Sequence, residues 1–198
     1  GHDIPYHYTS DVNSTNSVNW IEEKQPDIIF CLGWSQLLKE NVLNIPPKGV
    51  VGYHPSKLPY NRGRHPLIWA IVLGLEETAS SFFIMNKGAD TGDIISQKSF
   101  PIHFEDKAMD VYQRMITTAL DQIEEIVEQF KTDDIERIPQ DLSTGNSWRK
   151  RGKEDGKIDF RMSSENIYNL VRALSEPYVG AHFEYQGKDI KVWNTKIK

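Results

Sequence analysis

His54 ends the apolar run Gly49-Val50-Val51-Gly52-Tyr53, and Asp90 sits in the turn Gly88-Ala89-Asp90-Thr91-Gly92-Asp93. An imidazole near a carboxylate can orient, charge or deprotonate a reacting group near neutral pH. Each follows a strand-like segment, so in an α/β sheet the two can meet at the carboxyl edge, where ligands collect. The stretch between them, His54-Pro55-Ser56-Lys57-Leu58-Pro59 and then Arg62-Gly63-Arg64, reads as a proline-braced cationic loop. Six histidines and twenty-eight acids would produce some His–carboxylate neighbours by accident, so the pair alone does not define a site. Ser56 close to His54 raises a nucleophilic Ser-His-Asp reading, but no Gly-x-Ser-x-Gly elbow supports it. Metal ligation by His54, His65 and Asp90 lacks any His-x-x-x-His or cysteine pattern. The Gly88–Asp93 turn has too few glycines for a phosphate or dinucleotide fingerprint.

The elements that must position these residues follow from pattern. Ser14 or Thr15 caps a short helix that ends before Pro26. Ile28 to Leu32 is a continuous apolar run, the pattern of a strand covered on both faces. Ser35 to Leu38 with Val42-Leu43 predicts a short amphipathic helix stopped by Pro46-Pro47. Gly49 to Tyr53 predicts a second buried strand, and Pro66 suits the first turn of a helix continuing to Leu75. Thr78 to Met85 and Asp93 to Phe100 read as strands flanking the turn that carries Asp90. A long helix over about 106–130 presents Tyr112, Met115, Ile116, Ala119, Leu120, Ile123, Ile126, Val127 and Phe130 at helical spacing, read as a core stripe. Near the end, Ser163 or Ser164 caps a last helix, and Gln186-Gly187 makes a hairpin turn. This divides the chain into a core at 1–131, a polar linker at 132–158 and a small C-terminal unit at 159–198. The first 27 residues show neither an apolar strand nor a glycine-rich turn, so the chain is expected to begin part-way into its domain.

Composition sets the bounds. A chain of 198 residues that is 38% hydrophobic can bury one substantial core. Its net charge of −5 argues against broad nucleic-acid binding, which needs a cationic surface. Arg149-Lys150-Arg151 with Lys153 is the one local basic candidate, read as a solvated loop. The single cysteine, Cys31, lies in an apolar run and reads as a small buried hydrophobe. One cysteine permits no intrachain disulfide, which fits a reducing compartment. No apolar run approaches the ~18 residues of a membrane span, and the expected location is cytoplasmic, with no membrane partner.

Ordered motifs carry a resemblance. Gly33-Trp34-Ser35-Gln36-Leu37-Leu38, Tyr53 to Pro59, Arg62-Gly63-Arg64 and Gly88 to Asp93 resemble the 10-formyltetrahydrofolate-dependent formyltransferases. That group includes the glycinamide ribonucleotide, methionyl-tRNA and amino-sugar enzymes. The likeness resumes at Lys150-Arg151, Asp155 to Phe160, Arg172-Ala173-Leu174 and Pro177 to Ala181. It implies an α/β, Rossmann-like formyltransferase core lacking its first strands, with a small C-terminal helix-plus-β-hairpin appendage. It further implies that His54 and Asp90 are catalytic and that 10-formyltetrahydrofolate is the co-substrate. The folate is expected against Trp34, Leu37, Leu38, Gly88, Ala89 and Thr91, and the acceptor against Ser56, Arg62 and Arg64.

In the family an Asn that helps hold the oxyanion stands two residues before the His; here that position is Gly52. Asn61 is the nearest polar alternative, and a lost oxyanion donor costs ~10²–10³ in rate. Arg64 and the short C-terminal unit resemble the amino-sugar enzymes, so the expected acceptor is an amino-sugar nucleotide. Methionyl-tRNA is the second acceptor, and a non-catalytic folate-binding relative is a third reading. The resemblance also admits a homodimer.

Overall fold

The computed structural model of the chain describes residues 4–34 and 36–197. Helix α1, Thr15–Lys24, begins at Ser14, whose hydroxyl accepts the Ser17 N–H, and ends at Gln25 in the left-handed region just before Pro26. Strand β1, Ile29–Cys31, is followed by α2, which covers only Glu40–Leu43. The helix expected from residue 35 is thus shorter than its pattern, and Ser35 itself lies outside the described residues. The reason is competition for the backbone. The Asn13 side chain donates to the Leu37 carbonyl at 3.1 Å and accepts the Lys39 N–H at 2.7 Å, holding 37–39 out of a helix.

Strand β2, Val50–His54, delivers His54 at its end, and the two-residue β3, Arg62–Gly63, follows the proline loop. Helix α3, Pro66–Val72, has proline in its first turn, where the missing N–H costs nothing. Strands β4, Glu77–Ile84, and β5, Ile94–Pro101, precede the long helix α4, Ala108–Thr132. The described sheet runs β1-β2-β4-β5 and is mixed: β1 and β2 are parallel, whereas β2–β4 and β4–β5 are antiparallel. Strand β1 is only half-buried, not covered on both faces as its apolar run suggests, because its outer side pairs with no described strand.

Two apolar layers enclose this sheet. Val51, Phe82 and Ile95 pack on Ala119, Ile126 and Phe130 of α4. On the other side Val50 meets Leu38 and Val42, with Val18 and Ile21 of α1 against them. Among the described residues no helix is long and apolar enough to cross a membrane.

The polar stretch 132–158 is fastened to the core along its length. Ile138 bridges Ile94, and β6, Ser147–Trp148, pairs in parallel with β3. A single 3₁₀ turn, Lys153–Gly156, leads to α5, Ser164–Ala173, capped by the Ser163 hydroxyl. The hairpin of β7, Ala181–Tyr185, and β8, Lys188–Val192, turns at Gln186-Gly187, both at positive φ. This end of the chain is locked to the core by Arg172, which is 6% exposed. Its guanidinium donates to the carbonyls of His103 and Asp106, both at 3.0 Å, and to Asn169 Oδ1 at 2.8 Å. Arg172→Ala should leave those buried acceptors unsatisfied and lower stability by about 3 kcal/mol, read as a drop in the denaturation midpoint.

Candidate active site

His54 and Asp90 meet, although not at a common carboxyl edge. Strand β4 runs antiparallel to β2, with Val51 opposite Ile84 and His54 opposite Ser81, so β4 ends beside the start of β2. The turn after β4 therefore has to fold back to bring Asp90 to His54. Asp90 takes a left-handed conformation there, with φ +56°. A side chain on Gly92 would collide with the Ile84 carbonyl, so only glycine lets the turn pass that strand end.

The imidazole is 5% exposed and is read at both nitrogens. Nε2 lies 2.9 Å from the Asn61 carbonyl, and a carbonyl only accepts, so Nε2 carries a hydrogen. Nδ1 is then the atom aimed at Asp90, 3.6 Å from Oδ2. That separation exceeds a hydrogen bond, yet a proton placed between the two groups would be held by both. Oδ2 also accepts the Gly63 N–H at 3.1 Å.

Both groups are braced from the 132–158 segment. The Gln140 amide donates to the carbonyls of Asp90 at 3.0 Å and Gly92 at 2.6 Å. Asn146 accepts the Asn61 N–H through its side chain at 2.9 Å and the Arg62 N–H through its carbonyl at 3.1 Å. Gly145 is needed beside them because a side chain there would strike the Pro59 carbonyl. Sequence reasoning did not find Gln140 and Asn146. They lie in a polar stretch without periodicity, and Gly145-Asn146 is a turn signal that names no partner.

The other expected site residues divide by exposure. Ser56 is fully buried. Its hydroxyl donates to the Tyr60 carbonyl at 2.9 Å and its own carbonyl accepts from Ser81 at 2.6 Å. It braces the proline loop, and its expected role as an acceptor contact is corrected to this structural one. Leu38 is also corrected: it is core, packed with Val42 and Val50. Arg62 is half-buried and Arg64 exposed, side by side on β3 and its continuation. Gly88 and Thr91 are tied to each other through Asn86 Oδ1, which accepts the Gly88 N–H at 2.9 Å and the Thr91 hydroxyl at 2.8 Å.

A cavity of about 560 Å³ opens beside Asp90. Trp34, Phe82, Phe83, Met85 and Met115 give it aromatic and apolar walls. Of the residues expected to meet folate, Trp34 lines it, whereas Leu37, Gly88, Ala89 and Thr91 stand outside its wall. Tyr53 lines it too, and burial pushes its phenol up to about 12, so it serves as a neutral hydroxyl. Gly52 also faces it. A Cβ there would lie 2.8 Å from both the Phe83 ring and Met85 Cγ, so these side chains fill the space at the position two residues before the histidine.

The family model described as formyl transferase matches residues 6–127, and that of the formyl transferase C-terminal domain matches residues 150–198. The chain belongs to the formyl transferase family. It is 32% identical over 196 residues to the bifunctional polymyxin resistance protein ArnA of Wigglesworthia glossinidia brevipalpis, covering 99% of this chain and 30% of that protein. Among solved structures, a sugar N-formyltransferase from Shewanella sp. superposes with a TM-score of 0.80 at 22% identity, covering 95% of this chain and 77% of that one. HypX from Aquifex aeolicus, in complex with tetrahydrofolic acid, gives 0.77 at 22% identity, covering 89% of this chain and 30% of HypX. The two structural likenesses establish the shared fold, and the chain spans less than a third of the length of ArnA and of HypX.

The bracing of Asp90 is directly measurable. Gln140→Leu should remove both donors, lower global stability by about 1–2 kcal/mol and speed amide hydrogen exchange selectively in Gly88 to Asp93. Uniform exchange changes across the sheet would show that Gln140 does not hold this turn.

Proposed function

We propose that the protein transfers a formyl group from 10-formyltetrahydrofolate to the amine of an amino-sugar nucleotide, in the cytoplasm. The observation that carries this reading is Asp90. Its carboxylate is held by the Gly63 N–H and faces the buried His54, and the residue lines an apolar cavity large enough for a flat, ring-bearing donor. The tetrahydrofolic acid seen in HypX supports a folate-type donor, and the sugar N-formyltransferase and ArnA likenesses support a sugar acceptor.

The chemistry follows from which group can reach substrate. The acceptor amine attacks the formyl carbon, a C–N bond forms, and the carbonyl oxygen becomes an oxyanion. Asp90, the less buried member of the pair, takes the amine proton and returns one to the departing folate nitrogen as its bond to carbon breaks. His54 positions Asp90 through Nδ1, the ring atom aimed at Oδ2. Methionyl-tRNA is the less suited acceptor, because the chain carries a net charge of −5 and nucleic-acid binding needs a cationic surface.

The deciding experiment offers 10-formyltetrahydrofolate with 3-amino and 4-amino sugar nucleotides, and separately with methionyl-tRNA, and follows product mass. Formylated sugar nucleotide is expected; formylation of methionyl-tRNA alone would overturn the acceptor, and no transfer to either would overturn the activity. Asp90→Asn should lower turnover by about 10²–10⁴ while leaving folate binding nearly unchanged. Gly52→Asn should leave activity unchanged or reduce it, since the added side chain meets Phe83 and Met85. A tenfold or larger gain would mean that the site lacks an oxyanion donor it needs.

A further inference from the structure

Formyl transfer raises a charge that neither His54 nor Asp90 can hold. When the amine attacks, the formyl oxygen becomes an oxyanion, and fixed donors aimed at it are the main aid to such a step. Both nitrogens of His54 are taken, Nε2 by the Asn61 carbonyl and Nδ1 by Asp90. A carboxylate only accepts, so Asp90 has no hydrogen to offer an anion. Gly52 brings no side chain, and Phe83 and Met85 occupy the space a Cβ would enter. Tyr53 lines the cavity, but successive strand residues face opposite ways, and it turns from His54 to pack on Phe82 and meet Ser80 at 3.3 Å.

His65 lines the same cavity as Asp90 and Gly52. Chain connectivity keeps it near the chemistry. The Gly63 N–H meets Asp90 Oδ2 at 3.1 Å, and His65 stands two residues on, at most about 7 Å away between Cα atoms. Local structure gives no reason for a histidine there. It precedes α3 with φ +57° and ψ +44°, a left-handed conformation that glycine adopts more readily, and its side chain does not cap the helix. Backbone strain of this kind gathers at active sites. The ring is held in one form: the Arg151 N–H donates to Nδ1 at 3.3 Å, so the hydrogen sits on Nε2. Arg151 is itself fixed, its guanidinium 4.4 Å from the centre of the Trp69 ring, and is not the solvated charge its composition suggests. Burial, and then the charges of Arg64, Lys150 and Arg151, hold the imidazole below the ordinary histidine pKa, against a weaker pull from Asp155. His65 is therefore a neutral ring near neutral pH, with one N–H to give.

Resting on the formyl-transfer reading above, we propose that His65 is the oxyanion donor, its Nε2–H bonded to the formyl oxygen in the transition state. As the amine nitrogen bonds to the formyl carbon, the carbonyl π pair moves onto oxygen and is held by that N–H, which keeps its hydrogen. The pair returns to rebuild the carbonyl as the bond to the folate nitrogen breaks, and Asp90 passes the amine proton to that nitrogen. His65 holds the charge while Asp90 moves the proton.

Kinetics of His65→Gly test this, because glycine suits the left-handed backbone and leaves the space of the ring open. Turnover should fall about 10²–10³-fold with both KM values within about threefold, the pattern of a contact made only in the transition state. Imidazole added to the assay should restore turnover by about tenfold or more, whereas 1-methylimidazole, which fills the same space without an N–H, should not. His65→Gln and His65→Leu share any backbone strain and differ in the amide, so Gln should turn over about tenfold or more faster than Leu. Undiminished turnover in His65→Gly, equal rescue by both imidazoles, or equal rates for Gln and Leu would overturn the assignment. A loss in Tyr53→Phe with none in His65→Gly would move the role to Tyr53. Transfer to an amine other than a sugar nucleotide, still lost in His65→Gly, would keep this role and remove the proposed acceptor. No transfer by the unaltered protein would overturn the reaction and this role with it.

Discussion

A carboxylate in a surface turn has many orientations, and Asp90 is restricted to one by backbone contacts. Gly63 fixes its side chain and Gln140 fixes its main chain. Both contacts depend on one constraint, the fastening of segment 138–148 across the loops that follow β2 and β4. Without the β3–β6 pairing, Gly63 would have no fixed N–H to offer, and Asn61 would lose the partner that holds it at positive φ. Preorganisation of this kind matters because a displaced catalytic group costs rate steeply even when every residue is present.

The same fastening explains how a nearly buried histidine can take part in the proposed transfer. His54 gives its Nε2 hydrogen to a carbonyl and turns Nδ1 towards the carboxylate, so it acts through Asp90. Burial of His54 on one side of the pair strengthens the interaction between its members. The absence of a side chain at Gly52 is matched by the presence of Phe83 and Met85 in its space, a packed arrangement in place of a vacancy.

The 132–158 segment has a second consequence. By running parallel to β3 it sets Arg149 and Arg151 against the Trp69 ring of α3.

Much of this protein can be read from local pattern, because local pattern records local physics. Helices α4 and α5 follow from their apolar spacing and from the Ser163 cap, and the hairpin at Gln186-Gly187 follows from residues that tolerate positive φ. The motifs around His54 and Asp90 identify the family and the two loops that matter. Tertiary structure decided the rest. That Ser56 and Leu38 face inward, that β4 runs against β2, and that Gln140 and Asn146 reach back to the site depend on contacts between residues distant in the chain. Such contacts leave no periodicity: a glutamine donating to a carbonyl fifty residues away looks, in sequence, like any polar residue in a loop. Arg151 is the clearest instance, a solvated charge by composition and a half-buried stacking partner of Trp69 once β3 and β6 have paired.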